Sequence, residues 1–372
     1  MKDGINNHRA DPSNPNQSNQ LVSAAKQMYS DLDSKGESFP PYGFVQTLRT
    51  LHPQFDETDN QGRHMQQDSE ECFNCIMQSY ENANMRHPFG DEDVNLIPHL
   101  FNIEMKITQP PTEENEEAKT IIEKAKELRC YIDNNNKPIS HLLDGIKLSL
   151  GDSQRMNNLP PYLTINLVRF FWKKESTTAG TSAGKSKILR SVSFPMVLDV
   201  YDLCSEELKQ SLDHGRKFEN RLREEHDEKM LSGKAEEDAA NKAAAEEAKA
   251  KSKDKDVKME DAEEEKKETT KKKSKVLPPT INDEVAYRDH GTGLDHGKYQ
   301  LLGVVTHQGR TADAGHYIGW VHSTGDEWYQ CDDDFITRVK TQDILNLKGG
   351  GDWHMAYMLI YRKIEICQGD VV

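Results

Sequence analysis

The chain has 372 residues, 35% of them hydrophobic, and a formal net charge of -15 at neutral pH. That length permits one large domain or two ordinary ones, the acidic balance argues against a broad nucleic-acid-binding face, and no run of about 18 apolar residues is present to span a membrane. Cys72, Cys75, Cys130, Cys204, Cys331 and Cys367 include no repeated C-x-x-C pair, so neither a disulfide framework nor a four-cysteine zinc site is suggested, and reduced thiols in a cytoplasmic or nuclear setting are expected.

Residues 1–20, rich in Asn, Asp and Pro and without the apolar core of a signal peptide, are expected to be extended or disordered. Leu21, Ala24, Ala25, Met28 and Leu32 then recur at helical spacing up to Gly36. Phe44, Leu48 and Leu51 mark a second short helix between Pro41 and Pro53. A third starts at Asp68, an N-cap residue with Glu71 three positions on, and presents Cys72, Ile76 and Tyr80 along one side. Residues 21–97 therefore read as a helical subdomain.

After Pro98 the period changes to two. Phe101, Ile103, Met105 and Ile107 alternate with polar residues, Leu159 to Phe170 is apolar enough for a central strand, and Leu189 to Val200 is edge-like, interrupted by Pro195. Residues 98–204 are assigned to the first part of a sheet subdomain, residues 286–363 to its second part, and 364–372 to a tail. Residues 205–285 read as a charged low-complexity insertion: from Arg216 to Lys275 there are 18 Lys or Arg, 18 Asp or Glu, one aromatic (Phe218) and no apolar stripe to dock. The acidic excess thus sits on the remainder of the chain, where it favours a basic partner.

Chemistry concentrates near the carboxyl end. Gly315 to Trp320 and Trp328 to Asp334 flank Ser323-Thr324-Gly325, which predicts a hairpin with Trp320 opposite Trp328, Ile318 opposite Gln330 and His316 opposite Asp332. An imidazole beside a carboxylate is what a nucleophile needs: the His takes the proton and the Asp fixes its tautomer. Alternatives are weaker. Ala179 to Ser186 (AGTSAGKS) matches a relaxed phosphate-loop pattern but is followed by a strand-like run instead of a helix. Asp332-Asp333-Asp334 suits a hard cation only if neighbouring strand residues converge, which strand alternation opposes. Lys271-Lys272-Lys273-Ser274-Lys275 suits nuclear import or a solvated spacer. The nucleophile is missing from this reading: Cys331 lies on the face opposite His316, Cys72 and Cys75 sit in a helix as structural thiols, and no Cys precedes Cys72.

Several pieces stand in a recognisable order: Gln66-Gln67-Asp68 with Glu71-Cys72, the strand YLTINLVRFFWK, SFPMVLDVYDLC, THQGR to GHY, DEW to DDD, and GGGDWHMAY. Together they resemble the ubiquitin-specific protease family (peptidase C19), most of all its proteasome-associated members. The resemblance implies an α+β fold of the papain-like cysteine protease superfamily, with a helical amino-terminal subdomain and a mainly antiparallel sheet subdomain. It implies His316 as general base, Asp332 as orienting carboxylate, and Gln67, Asp68 and Tyr317 lining the channel for ubiquitin's Arg-rich carboxyl-terminal tail. Ubiquitin, ubiquitinated proteins and the 26S proteasome are the implied partners, without metal, cofactor, nucleic acid or membrane, in cytoplasm and nucleus. The family's Gly-Asn-Thr-Cys-type box, with the nucleophilic Cys, has no match here. The expectation is therefore a deubiquitinase domain without its thiol, or an inactive ubiquitin-binding or scaffold relative.

Overall fold

The computed structural model describes residues 1–9, 16–35, 39–88, 94–111, 119–134, 137–173, 184–225, 227–228, 293–309, 315–351 and 353–366. The chain divides into two compact units, Met1–Leu212 with Gly297–Glu365 and Asp213–His296 with Ile366–Val372. In the second, Arg216 Nη1 donates to the His296 carbonyl at 3.0 Å. The helices, sheets and site residues below belong to the first unless a range runs past its limits.

The first helices are α1 (Lys2–Asn7), α2 (Ser18–Lys35), α3 (Tyr42–Leu51), α4 (Ser69–Asn82) and α5 (Leu96–Phe101). Their apolar stripes converge in one cluster that includes Ile5, Leu21, Ala25, Leu48, Tyr80, Ile97 and Phe101. Two expectations are corrected here. Residues 1–20 contain α1, because Ile5 is 1% exposed and anchors that turn of helix to the cluster. The helical part also runs past residue 97: Asn95 caps α5 by accepting from the Ile97 amide, and Pro98 is accommodated in the first turn, where no intrahelical amide is needed.

The sheet part contains β1 (Ile103–Gln109), β2 (Lys119–Ala125), β3 (Leu128–Tyr131), β4 (Asp133–Asn134), β5 (Lys137–Pro138), α6 (Leu142–Leu150), β6 (Gln154–Met156), β7 (Tyr162–Val168), β8 (Phe170–Lys173), β9 (Gly184–Lys187) and β10 (Val197–Asp199). Helix α7 (206–225) follows. Next come β11 (Leu294–Gln308), β12 (His316–His322), β13 (Glu327–Asp332), β14 (Phe335–Lys340), α8 (Thr341–Leu345) and β15 (Met355–Ile366). The main sheet has the order β14-β13-β12-β11-β15-β7-β3, with β10 pairing onto β11; β3 runs parallel to β7. Helix α6 covers β3 so closely that a Cβ on Gly145 would fall 2.3 Å from Cys130 Sγ and 2.6 Å from the Tyr131 carbonyl.

Arg169 stands at the step from β7 to β8 and is fully buried. Its guanidinium donates to the carbonyls of Ala356 at 2.6 Å, Arg190 at 2.9 Å, Ile188 at 3.2 Å and Lys348 at 3.4 Å, tying β15 to both chain segments beside it. Burial lowers its pKa to about 10, and the carbonyl cage offsets the cost of desolvating the charge.

The expected insertion of residues 205–285 starts too early. Leu212 is 1% exposed and Leu208 packs on the sheet core, so the beginning of α7 is docked. The low-complexity residues 229–292 and the tail residues 367–372 lie outside the described residues. So do 179–183 of the phosphate-loop pattern; its Gly184 to Ser186 belong to β9, paired with β8, so among the described residues the pattern leads into a strand and not into a helix amino terminus that could meet a phosphate.

Candidate active site

Chain entry into β12 requires Gly315. A Cβ there would meet the Gln308 carbonyl at 2.1 Å and His307 Nε2 at 2.5 Å, so only glycine lets the chain turn in beside β11 and pair His316 with Gln308. The β12–β13 register differs from the expected one by two residues: Trp320 faces Gln330, and His322 faces Trp328. The Glu327 amide closes on the Thr324 carbonyl at 2.9 Å, which draws Asp326 into the turn with Gly325 at φ 57°. An even slip leaves every side chain on its predicted face.

His316 still meets Asp332, now on the diagonal. Nε2 and Oδ1 are 2.6 Å apart, with the side chains 39% and 36% exposed, while Nδ1 carries no hydrogen bond among the described residues. The carboxylate is placed by the turn into β14, in which Asp332 pairs with Phe335 and Asp333 adopts φ 52°, a conformation Asp tolerates. This turn also brings an Asp333 oxygen, His316 and Asp332 atoms within 4.8 Å of one another, because Asp333 has left the strand and alternation no longer applies. Exposed acidic groups gather this way without a metal, and the His316 nitrogen is already engaged. His354 lies edge-on at 6.1 Å; burial and the His316 charge lower its pKa.

Tyr317 points to the other face of β12. Its ring lies 4.7 Å from His307 and 6.1 Å from Tyr357, and its buried hydroxyl approaches Ser69 without a well-directed hydrogen bond. Asp68 caps α4 by accepting from the Glu70 amide at 2.8 Å and receives the Tyr357 hydroxyl on both carboxylate oxygens at 2.8 Å. The expected partner in a capping box, Glu71, is not the residue that closes this cap. Gln67 sits half-buried in the segment leading to Asp68. The structure thus gathers Asp68 and Tyr317 on one face and His316 and Asp332 on the other.

Behind Tyr317 lies a pair that sequence reasoning passed over. The buried ammonium of Lys187 reaches His307 Nδ1 at 2.6 Å, the His307 carbonyl at 2.8 Å and the Gly309 carbonyl at 3.0 Å. An ammonium can only donate, so Nδ1 is the acceptor and the ring proton is on Nε2. Burial, then the Lys187 charge, lowers His307 to about 4, and burial lowers Lys187 to about 8. His307 Nε2 is buried without a hydrogen-bond partner among the described residues. His307 stood inside the quoted THQGR motif and Tyr357 inside GGGDWHMAY, but nothing in the sequence around Lys187 distinguishes it from a surface lysine.

Among the described residues, Cys72, Cys75 and Cys331 are not activated. Burial, with Cys75 and Glu71 beside it, pushes the Cys72 thiol up to about 11, and burial raises Cys75 and Cys331 as well. Cys331 sits opposite Gly319, on the face of β12 that carries Tyr317 and away from His316.

A helical layer beside an antiparallel-rich sheet, with an imidazole-carboxylate pair at the sheet's end, is the architecture of a papain-like α+β hydrolase. Residues 2–361 match the family profile of ubiquitin carboxyl-terminal hydrolases. Similar proteins include ubiquitin carboxyl-terminal hydrolase 6 of Arabidopsis thaliana, 34% identical over 93% of this chain and 68% of that protein. Ubiquitin carboxyl-terminal hydrolase 14 of Caenorhabditis elegans is 32% identical over 91% of this chain and 62% of its own length. The chain belongs to the ubiquitin carboxyl-terminal hydrolase family, a family of cysteine peptidases.

Proposed function

We propose that this chain carries the base side of a deubiquitinase centre, in which His316 is the general base and Asp332 its orienting carboxylate. The observation that carries this reading is the 2.6 Å contact from His316 Nε2 to Asp332 Oδ1, which leaves Nδ1 open to take a thiol proton. The reaction is hydrolysis after ubiquitin's terminal glycine: a thiolate attacks the carbonyl carbon, the amine leaves with the proton held by the imidazole, and water then cleaves the thioester. Gln67, Asp68 and Tyr317 line the channel for ubiquitin's tail, whose arginines suit the Asp68 carboxylate. Ubiquitinated proteins are the substrates, the 26S proteasome is the partner, and cytoplasm and nucleus are the sites of action.

A second reading, ubiquitin binding without catalysis, is favoured by one observation: no described cysteine has its thiol hydrogen-bonded to His316, and the Cys72, Cys75 and Cys331 thiols all have raised pKa values. The test is turnover of a ubiquitin carboxyl-terminal fluorogenic amide together with ubiquitin binding. The expected result for this chain is binding without turnover. Turnover abolished by His316→Ala would overturn the missing-thiol reading and place the nucleophile among those three cysteines. Absence of ubiquitin binding would overturn the channel.

A further inference from the structure

Asp68 has more hydrogen bonds than a helix cap requires. Capping α4 uses one oxygen, Oδ1, which accepts the Glu70 amide at 2.8 Å. A carboxylate held at one oxygen can still turn about its last torsion, a broad rotor. The Tyr357 hydroxyl removes that freedom by standing 2.8 Å from both oxygens. Tyr357 is itself fixed: it is 4% exposed, belongs to β15, and packs against the Phe170 ring at 5.1 Å and the Tyr317 ring at 6.1 Å. Burial, then the Asp68 charge, raises its ionisation above the ordinary range, so the phenol remains a donor at any pH the protein meets.

We infer that Tyr357 is a positioning residue for substrate: by donating to both oxygens of Asp68 it locks the plane of that carboxylate, and so sets how the channel receives the cationic tail of ubiquitin. The inference rests on the reading of Asp68 as a channel residue given above. The cap fixes where the carboxylate is, the phenol fixes which way its remaining lone pairs face, and an arginine or backbone amide of the tail meets a preorganised acceptor.

The test is a binding cycle on the full chain with two probes, intact ubiquitin and ubiquitin truncated before its tail. Tyr357→Phe keeps the ring and removes the donor; it is expected to weaken intact ubiquitin roughly tenfold, the scale of one hydrogen bond to a charged group, and to leave binding of the truncated probe unchanged. In an Asp68→Asn background the same substitution is expected to add little, since the group being oriented has lost its charge. Equal weakening of both probes, or no weakening of either, overturns the inference. A wild-type chain that binds both probes equally instead overturns the channel reading beneath it, which separates the two failures.

Discussion

Glu70 offers the sharpest test of the electrostatics at the start of α4. It is the second residue of the helix, where the dipole favours a negative charge, yet its pKa is raised from an ordinary 4.5 to about 7. Burial is the largest cause; Glu127, just ahead of β3, and Asp68 add like-charge repulsion, and the Glu70 and Glu127 carboxyls are close enough to share a proton. Asn74 donates to Glu70, and Arg129 only approaches Glu127 at 3.5 Å, so neither outweighs the burial. Below the unfolded value both folded and unfolded chains hold the proton. Between about 4.5 and about 7 the unfolded chain ionises and the folded one does not, so stability falls as pH rises and the penalty is complete above the folded value. At about 1.4 kcal/mol per pKa unit the ceiling is roughly 3 kcal/mol, and partial exposure discounts it to about 1.5 kcal/mol. Glu70→Gln supplies a permanent neutral donor. In urea unfolding it is expected to gain about 1.5 kcal/mol over wild type at pH 8 and close to nothing at pH 5. A wild-type-minus-variant difference that is flat across that window would refute the shared proton.

Two stability predictions follow from buried groups. Leu212→Ala, in the part of α7 first assigned to the insertion, is expected to cost about 2–4 kcal/mol in urea unfolding; a cost near zero would show that the helix is not docked. Lys187→Met strands the His307 and Gly309 carbonyls and is expected to cost about 2 kcal/mol. With the ammonium gone, the His307 titration followed by NMR is expected to move up from about 4 toward the ordinary imidazole range, and no movement would refute the 2.6 Å contact as a source of the shift.

What the sequence determined is what depends on local period and parity. Apolar spacing placed α2, α3 and α4, alternation placed β1, a continuous apolar run placed β7, and Asp68 announced its own cap. The His316 and Asp332 encounter was legible because face is set by parity along a strand, and a register slip of two residues preserves parity. What only the tertiary structure decided has no local signature. The parallel β3 and its covering α6 are short segments whose apolar faces gain meaning from neighbours far along the chain. Ile5 turns a polar amino terminus into a helix because a pocket exists to bury it. The Lys187 clamp on His307 and the Tyr357 lock on Asp68 join residues 120 and 289 positions apart. Their hydrogen bonds depend on distances that only the closed fold sets, so neither pair could be found by reading along the chain.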